Sequence, residues 1–175
     1  MNEDHFTPLD EDFLADCPYG PGALLIDGLL GLDRERSTLR ARWPTHDELP
    51  LTRDQRVHPQ RHPRHVSGGL MVHMTGMAGF VHAYHVLGLR HREGWIGFGG
   101  RIHDARFRAL APPGEPIVIE CTATRVLRRA TRIVCRYQFR FTQGATLVYE
   151  GDQTALWLRV EEGKGLPTLL GSDEG

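Results

Sequence analysis

A chain of 175 residues is most simply one domain, and its 40% apolar and 25% charged residues are those of an ordinary globular protein with a core to bury. The formal net charge of −1 lacks the basic excess that a broad nucleic-acid or anionic-membrane surface requires. Cys17, Cys121 and Cys135 lie far apart with no C-x-x-C pair, which argues against a disulfide framework or zinc ribbon and fits a reducing, cytoplasmic compartment.

The opening stretch, MNEDHFTPLDEDFLADCP, is acidic and lacks the basic-then-apolar pattern of a secretion signal. Residues 1–17 read as a loosely held N-terminal segment. ALLIDGLLGLD (Ala23–Asp33) is a short apolar piece leading into a strand. STLRARW alternates, with Leu39, Ala41 and Trp43 on one face and Thr38, Arg40 and Arg42 on the other, as a half-buried strand does. From Pro44 to Arg64 the chain is polar with four prolines and reads as a long loop. Loops of that length inside one domain are usually functional or mobile.

Val66 to Leu87 follows, 22 residues without a formal charge, close to the length of a membrane span. It holds three histidines and four glycines, and no second span accompanies it, so a helix buried inside the domain is expected. Apolar residues occupy almost every helical face from Leu70 to Leu87, which predicts burial all round. After Gly88 the pattern turns to strands: WIGFGGRIHDARFRA, then PIVIECTATRVL, RIVCRYQFRF and ATLVYEGDQTALWLRV, separated by short turns. Arg125, Arg128, Arg129 and Arg132 cluster about one of these turns and read as solvated side chains. A meander of long strands beside one buried helix predicts an α+β domain, a curved antiparallel sheet wrapped around a central helix. Residues 161–175 read as a flexible tail.

This order resembles the hot-dog fold over about Pro18 to Val160, which makes 18–160 a single hot-dog domain. The chain is most similar to the 3-hydroxyacyl-ACP dehydratases of fatty-acid and polyketide synthesis. Three stretches carry the resemblance: YGPGALLIDGLLGLD, HVSGGLMVHMTGMAGF and IGFGGRIHDARFRALAPPGEPIVIEC. In the last, Ala105, Arg106, Phe107, Pro113, Gly114 and Glu115 all match the family's strand-and-turn pattern. The resemblance implies an acyl thioester substrate carried by acyl carrier protein or CoA. It also implies a homodimer or dimer-based oligomer with sites built between subunits, and no metal or redox cofactor.

In that family a histidine in the loop before the helix works with a Glu or Asp inside it. Aligning Ser67-Gly68 with the family's Pro-Gly places His73 at the acidic position, and no carboxylate lies in this helix. The family's loop histidine falls at Pro59 beside His58, and a shorter spacing gives the role to His62 or His65. The shorter spacing is also similar to hot-dog acyl thioesterases, whose helix or preceding loop carries an Asp, Glu or Asn. Here Ser67, His73 and Thr75 are the only polar side chains of the first two turns.

Gly68 and Gly69 at the helix start can offer free N–H groups to a thioester carbonyl, or simply let the loop turn into a crowded helix. His73 is either a base or hydrogen-bond donor facing an acyl group, or a core histidine bonded to a carbonyl. His58, His62 and His65 are spaced by four and three, yet Pro59 and Pro63 break a helix there, and no Cys or acidic partner supports zinc. His65, nearest the glycine pair, is the first loop candidate and His58 the second. His82 lies about 20 Å from Gly69 at 1.5 Å per residue, so it and His85 read as packing, dimer-contact or tunnel residues. Met71, Met74 and Met77 read as core that can double as acyl tunnel, with Phe98 and Gly99 as its wall. Three functions stand: a dehydratase with His65 as base and His73 as second polar group, an acyl thioesterase, and a non-catalytic acyl-binding or partner subunit.

Overall fold

The structure, a computed structural model, describes residues 5–161 and 163; most of the expected 161–175 tail lies outside the described residues. In chain order the elements are β1 (Thr7–Pro8), α1 (Glu11–Asp16), α2 (Pro21–Leu24), β2 (Gly28–Asp33), β3 (Thr38–Trp43), α3 (Gly68–His82), β4 (Trp95–Phe107), β5 (Ile117–Arg128), β6 (Arg132–Gln143) and β7 (Thr146–Arg159). The strands form one antiparallel sheet in the order β1-β2-β3-β5-β6-β7-β4.

Strict alternation makes the sheet two-faced. Ile133, Cys135, Tyr137, Phe139 and Phe141 of β6 are buried, as are Ile117, Ile119 and Cys121 of β5 and Leu39, Ala41 and Trp43 of β3. These side chains meet Leu70, Met74, Ala78 and Val81 of α3 in a single core. The outer face carries charge in register. Arg40 stands opposite Glu120, Glu120 opposite Arg140, Arg140 opposite Glu150, and Glu150 opposite Arg106, a row of alternating sign across five strands.

Ser67 caps α3, its hydroxyl accepting from Gly69 N–H at 3.2 Å. After His82 the helix widens through Ala83–Leu87 and stops at Gly88, whose φ of 73° is the left-handed conformation that glycine supplies at helix ends. No helix among the described residues is long and apolar enough to cross a membrane.

The N-terminal segment is more ordered than expected from residue 7 onward. β1 pairs with β2, and Asp10 caps α1 by accepting from Phe13 N–H at 2.6 Å. Phe13 is buried edge-on to Tyr84 at 5.0 Å, and the buried Asp16 carboxylate accepts from His91 and Arg92 N–H at 2.7 and 2.9 Å. Two apolar anchors, Leu9 and Phe13, hold the segment down; in an acidic stretch they are too few to show periodicity.

Candidate functional site

One side of α3 is left open. Val72, His73 and Phe80 are half-buried and Gly76 is exposed, so the helix is not enclosed all round as its composition suggested. Between this stripe, the edge strand β4 and the end of β7 lies a cavity of about 400 Å³. Composition could not show the opening, because apart from His73 the helix is apolar on the open side as well.

His73 is the imidazole of this cavity, and none of the described lining residues carries a carboxylate. Its Nε2 lies 2.7 Å from the carbonyl oxygen of Ala23, the last turn of the four-residue α2, where a helix leaves carbonyls unpaired. Nε2 therefore carries the proton and donates, which leaves Nδ1 as the lone-pair nitrogen. Tyr19 meets the His73 ring edge-on at 6.2 Å and continues to Phe80 at 5.3 Å, and Phe80 meets Trp157 at 5.2 Å. One wall of the cavity is thus a chain of touching rings.

The opposite polar wall is Thr75 and Gln153. The Thr75 hydroxyl lies 2.6 Å from Val72 O and 3.0 Å from Gln153 Oε1. Gln153 Nε2 and the Tyr149 hydroxyl are both buried without a partner in this amide orientation. Turning the Gln153 amide over lets Thr75 donate to Val72 O and accept from Gln153 Nε2, and turns Gln153 Oε1 toward the neighbouring Tyr149 hydroxyl.

Glycine shapes the remaining surface. Gly97 lets the Trp157 indole lie against β4, since a Cβ there would come within 2.4 Å of that ring. Gly76, Gly79 and Gly99 differ: a Cβ at each would meet nothing within 4 Å, apart from the helix's own nearby backbone in the two helical cases. In a helix interior a glycine costs about 1 kcal/mol relative to alanine, and no side-chain packing offsets that cost at Gly76 or Gly79.

The residues singled out in the sequence divide among three places. His73, Met77, Phe98 and Gly99 line the cavity. His65 and Gly68 line a separate, smaller groove of about 160 Å³ with Met71, Phe107 and Leu110. There His65 Nδ1 donates to Pro63 O at 2.8 Å, and its backbone is clasped on both sides by the Gln55 amide. The pairing of His65 with His73 across one site is not formed within this chain, because Pro63 draws the His65 ring back along its own loop. Phe107 covers Gly68 so closely that a Cβ would lie 2.8 Å from its ring. Gly69 lines neither cavity, and the Ser67 hydroxyl already takes its N–H. His58 also stands apart, its Nδ1 accepting from Gln60 and Arg61 N–H in a tight turn that pairs His58 with His62.

His82 and His85 are enclosed. His82 is 0% exposed, its Nε2 donating to Ser37 O at 3.0 Å while Tyr137 O–H donates to Nδ1 at 3.3 Å. Burial lowers its pKa to about 4, only partly offset by the Ser37 bond, so it is neutral near pH 7. Burial lowers the His85 pKa as well. Among the described residues no three His, Cys, Asp or Glu side chains converge as a metal-ligand set would.

Tyr19, Phe80, Gln153 and Trp157 were not picked out in the sequence. Gln153 did leave a signal: it falls on the inward register of β7, between Gly151 and Ala155, where an apolar residue is the rule. Tyr19, in an irregular stretch between two prolines, left none.

No protein-family model and no curated protein sequence matches the chain. Solved structures do resemble it. A dehydratase heterocomplex, ApeI:P from Xenorhabdus doucetiae, aligns at a TM-score of 0.62 and 12% identity over 90% of this chain and 94% of its own. A mutant thioesterase from Pseudomonas aeruginosa gives 0.58 and 16%, over 88% of this chain and 96% of its own. A thioesterase from Haemophilus influenzae gives 0.57 and 17%, over 94% and 100%. The protein has the hot-dog fold, an antiparallel sheet wrapped around one main helix.

Proposed function

We propose that the protein acts on acyl thioesters and that hydrolysis is the reaction its cavity supports best. The observation that carries this reading is His73, the imidazole in a cavity with no carboxylate among its described lining residues, with Nε2 held by Ala23 O and Nδ1 open. Hydrolysis needs one base and a water. Nδ1 takes a proton from water as its oxygen adds to the thioester carbonyl, and Ala23 O steadies the imidazolium through Nε2–H. The same proton then passes to the departing thiolate, leaving a carboxylic acid and a free thiol. Thioesterases among the similar structures support this reading.

Dehydration of a 3-hydroxyacyl thioester is the second reading, and Tyr19 is what favours it. A base and an acid are then needed, and the Tyr19 ring stands against His73. His73 Nδ1 would take the C2 proton while the Tyr19 hydroxyl gives its proton to the leaving 3-hydroxyl, which departs as water. The carrier is CoA or acyl carrier protein in either case. A second copy is expected along β4, since this long strand is paired on one side only and an open edge of that length invites pairing. The free thiols suit a reducing compartment.

Purified protein given a saturated acyl-CoA and a 3-hydroxyacyl-CoA separates the readings. Thiol released from both supports hydrolysis; an enoyl product without thiol release supports dehydration. If neither substrate changes, the enzyme reading fails and a non-catalytic acyl-binding subunit takes its place.

A further inference from the structure

Resting on the acyl-thioester reading, we propose that the cavity is a slot for a flat acyl group, aryl or conjugated, rather than a tunnel for a flexible alkyl chain. Two independent features of the cavity lead there. The first is its surface: Gly76 and Gly79 on α3 and Gly99 on β4 present bare backbone to empty space. These glycines have no side chain to make room for, so the room they leave belongs to whatever enters. The second is the ring chain Tyr19–Phe80–Trp157, with each ring set edge-on or tilted to the next. Aromatic surfaces reward a planar guest with stacked or edge-to-face contact that a methylene chain cannot match. Size agrees, since a cavity of about 150 Å³ holds benzene and this one is about 400 Å³. Gly97 belongs to the same design, because it is what lets the Trp157 ring approach β4 closely and form the end of the wall.

The test compares cinnamoyl-CoA with nonanoyl-CoA, which carry equal numbers of acyl carbons, by calorimetric binding and by turnover on the full chain. The slot predicts at least tenfold tighter binding of the cinnamoyl thioester. Equal or tighter binding of nonanoyl-CoA overturns it, whatever the turnover. Aryl-selective binding without turnover leaves the slot standing and removes the enzymatic reading instead, so the two fail separately. Gly76→Ala supplies the second measurement. Its methyl group enters empty space and its helix propensity improves, so the melting temperature rises by about 2–4 °C. The same methyl narrows the slot, and the cinnamoyl-over-nonanoyl preference falls at least fivefold. Gly99→Ala acts in the same direction from the facing strand. A lowered melting temperature for Gly76→Ala, or an unchanged preference in both variants, overturns the proposal, because the glycines would then be serving protein packing.

Discussion

His73 and His82 sit on the same helix, nine positions apart, and the protein treats them in opposite ways. His82 is sealed against the sheet with both nitrogens engaged, and burial keeps it neutral down to about pH 4. His73 has one nitrogen held and the other available, beside an open cavity. A buried imidazole with two partners organises a fold; one with a single partner and a free lone pair can move a proton. Residue type is the same in both places, so the surroundings alone divide the roles.

The largest effect that can break this contrast is at His73. His73→Ala is expected to lower kcat/KM by about 10²–10⁴-fold, while the lost bond to Ala23 O costs only about 1 kcal/mol of stability and leaves the protein folded. Retained activity would place the chemistry elsewhere.

His82 should show itself in stability instead. Its folded pKa lies below the 6.5 of an unfolded histidine, so the native state binds fewer protons and stability is lost as pH falls from 6.5 to about 4. The loss is roughly 3 kcal/mol for a shift of that size, and His85 adds in the same direction. Denaturant unfolding at pH 7 and pH 4.5 measures it. His82→Asn should start less stable yet lose less between the two pH values; an unchanged difference would mean that other groups carry the acid sensitivity.

Thr75→Val sharpens the picture of the cavity wall. It keeps the shape but removes the hydroxyl that joins Val72 O to Gln153, and should cost about 1–2 kcal/mol by thermal or chemical unfolding. The smallest effect belongs to His58→Ala. That ring organises an exposed turn far from the cavity lining, so stability should change by less than about 0.5 kcal/mol and turnover not at all.

The sheet was legible because β6 and β3 alternate without interruption, and an inward Cys135 or Ala41 followed by an outward arginine can be read directly. The helix was legible as an element but not in its orientation. Its open stripe is written in glycine, valine and phenylalanine with the single histidine His73, so no run of polar residues marked the side left uncovered. His73 could be placed by its spacing from Gly68. His65 could not, since spacing along a proline-rich loop says nothing about which way a ring turns, and Pro63 O decides that here. Tyr19 reaches His73 across a separation of more than fifty residues, a meeting that only the tertiary fold creates.

The order of strands has a kinetic consequence. β5, β6 and β7 are joined by short turns and can pair quickly, but Trp43 finds Ile117, and Trp95 finds Arg159, only after long loops close. The cavity needs that last event, since its walls come from α3, from β4 and from the far end of β7. Until then α3 exposes its apolar surface with nothing to cover it, which is the condition under which chains aggregate. Ligand binding during refolding should therefore return with the slowest phase.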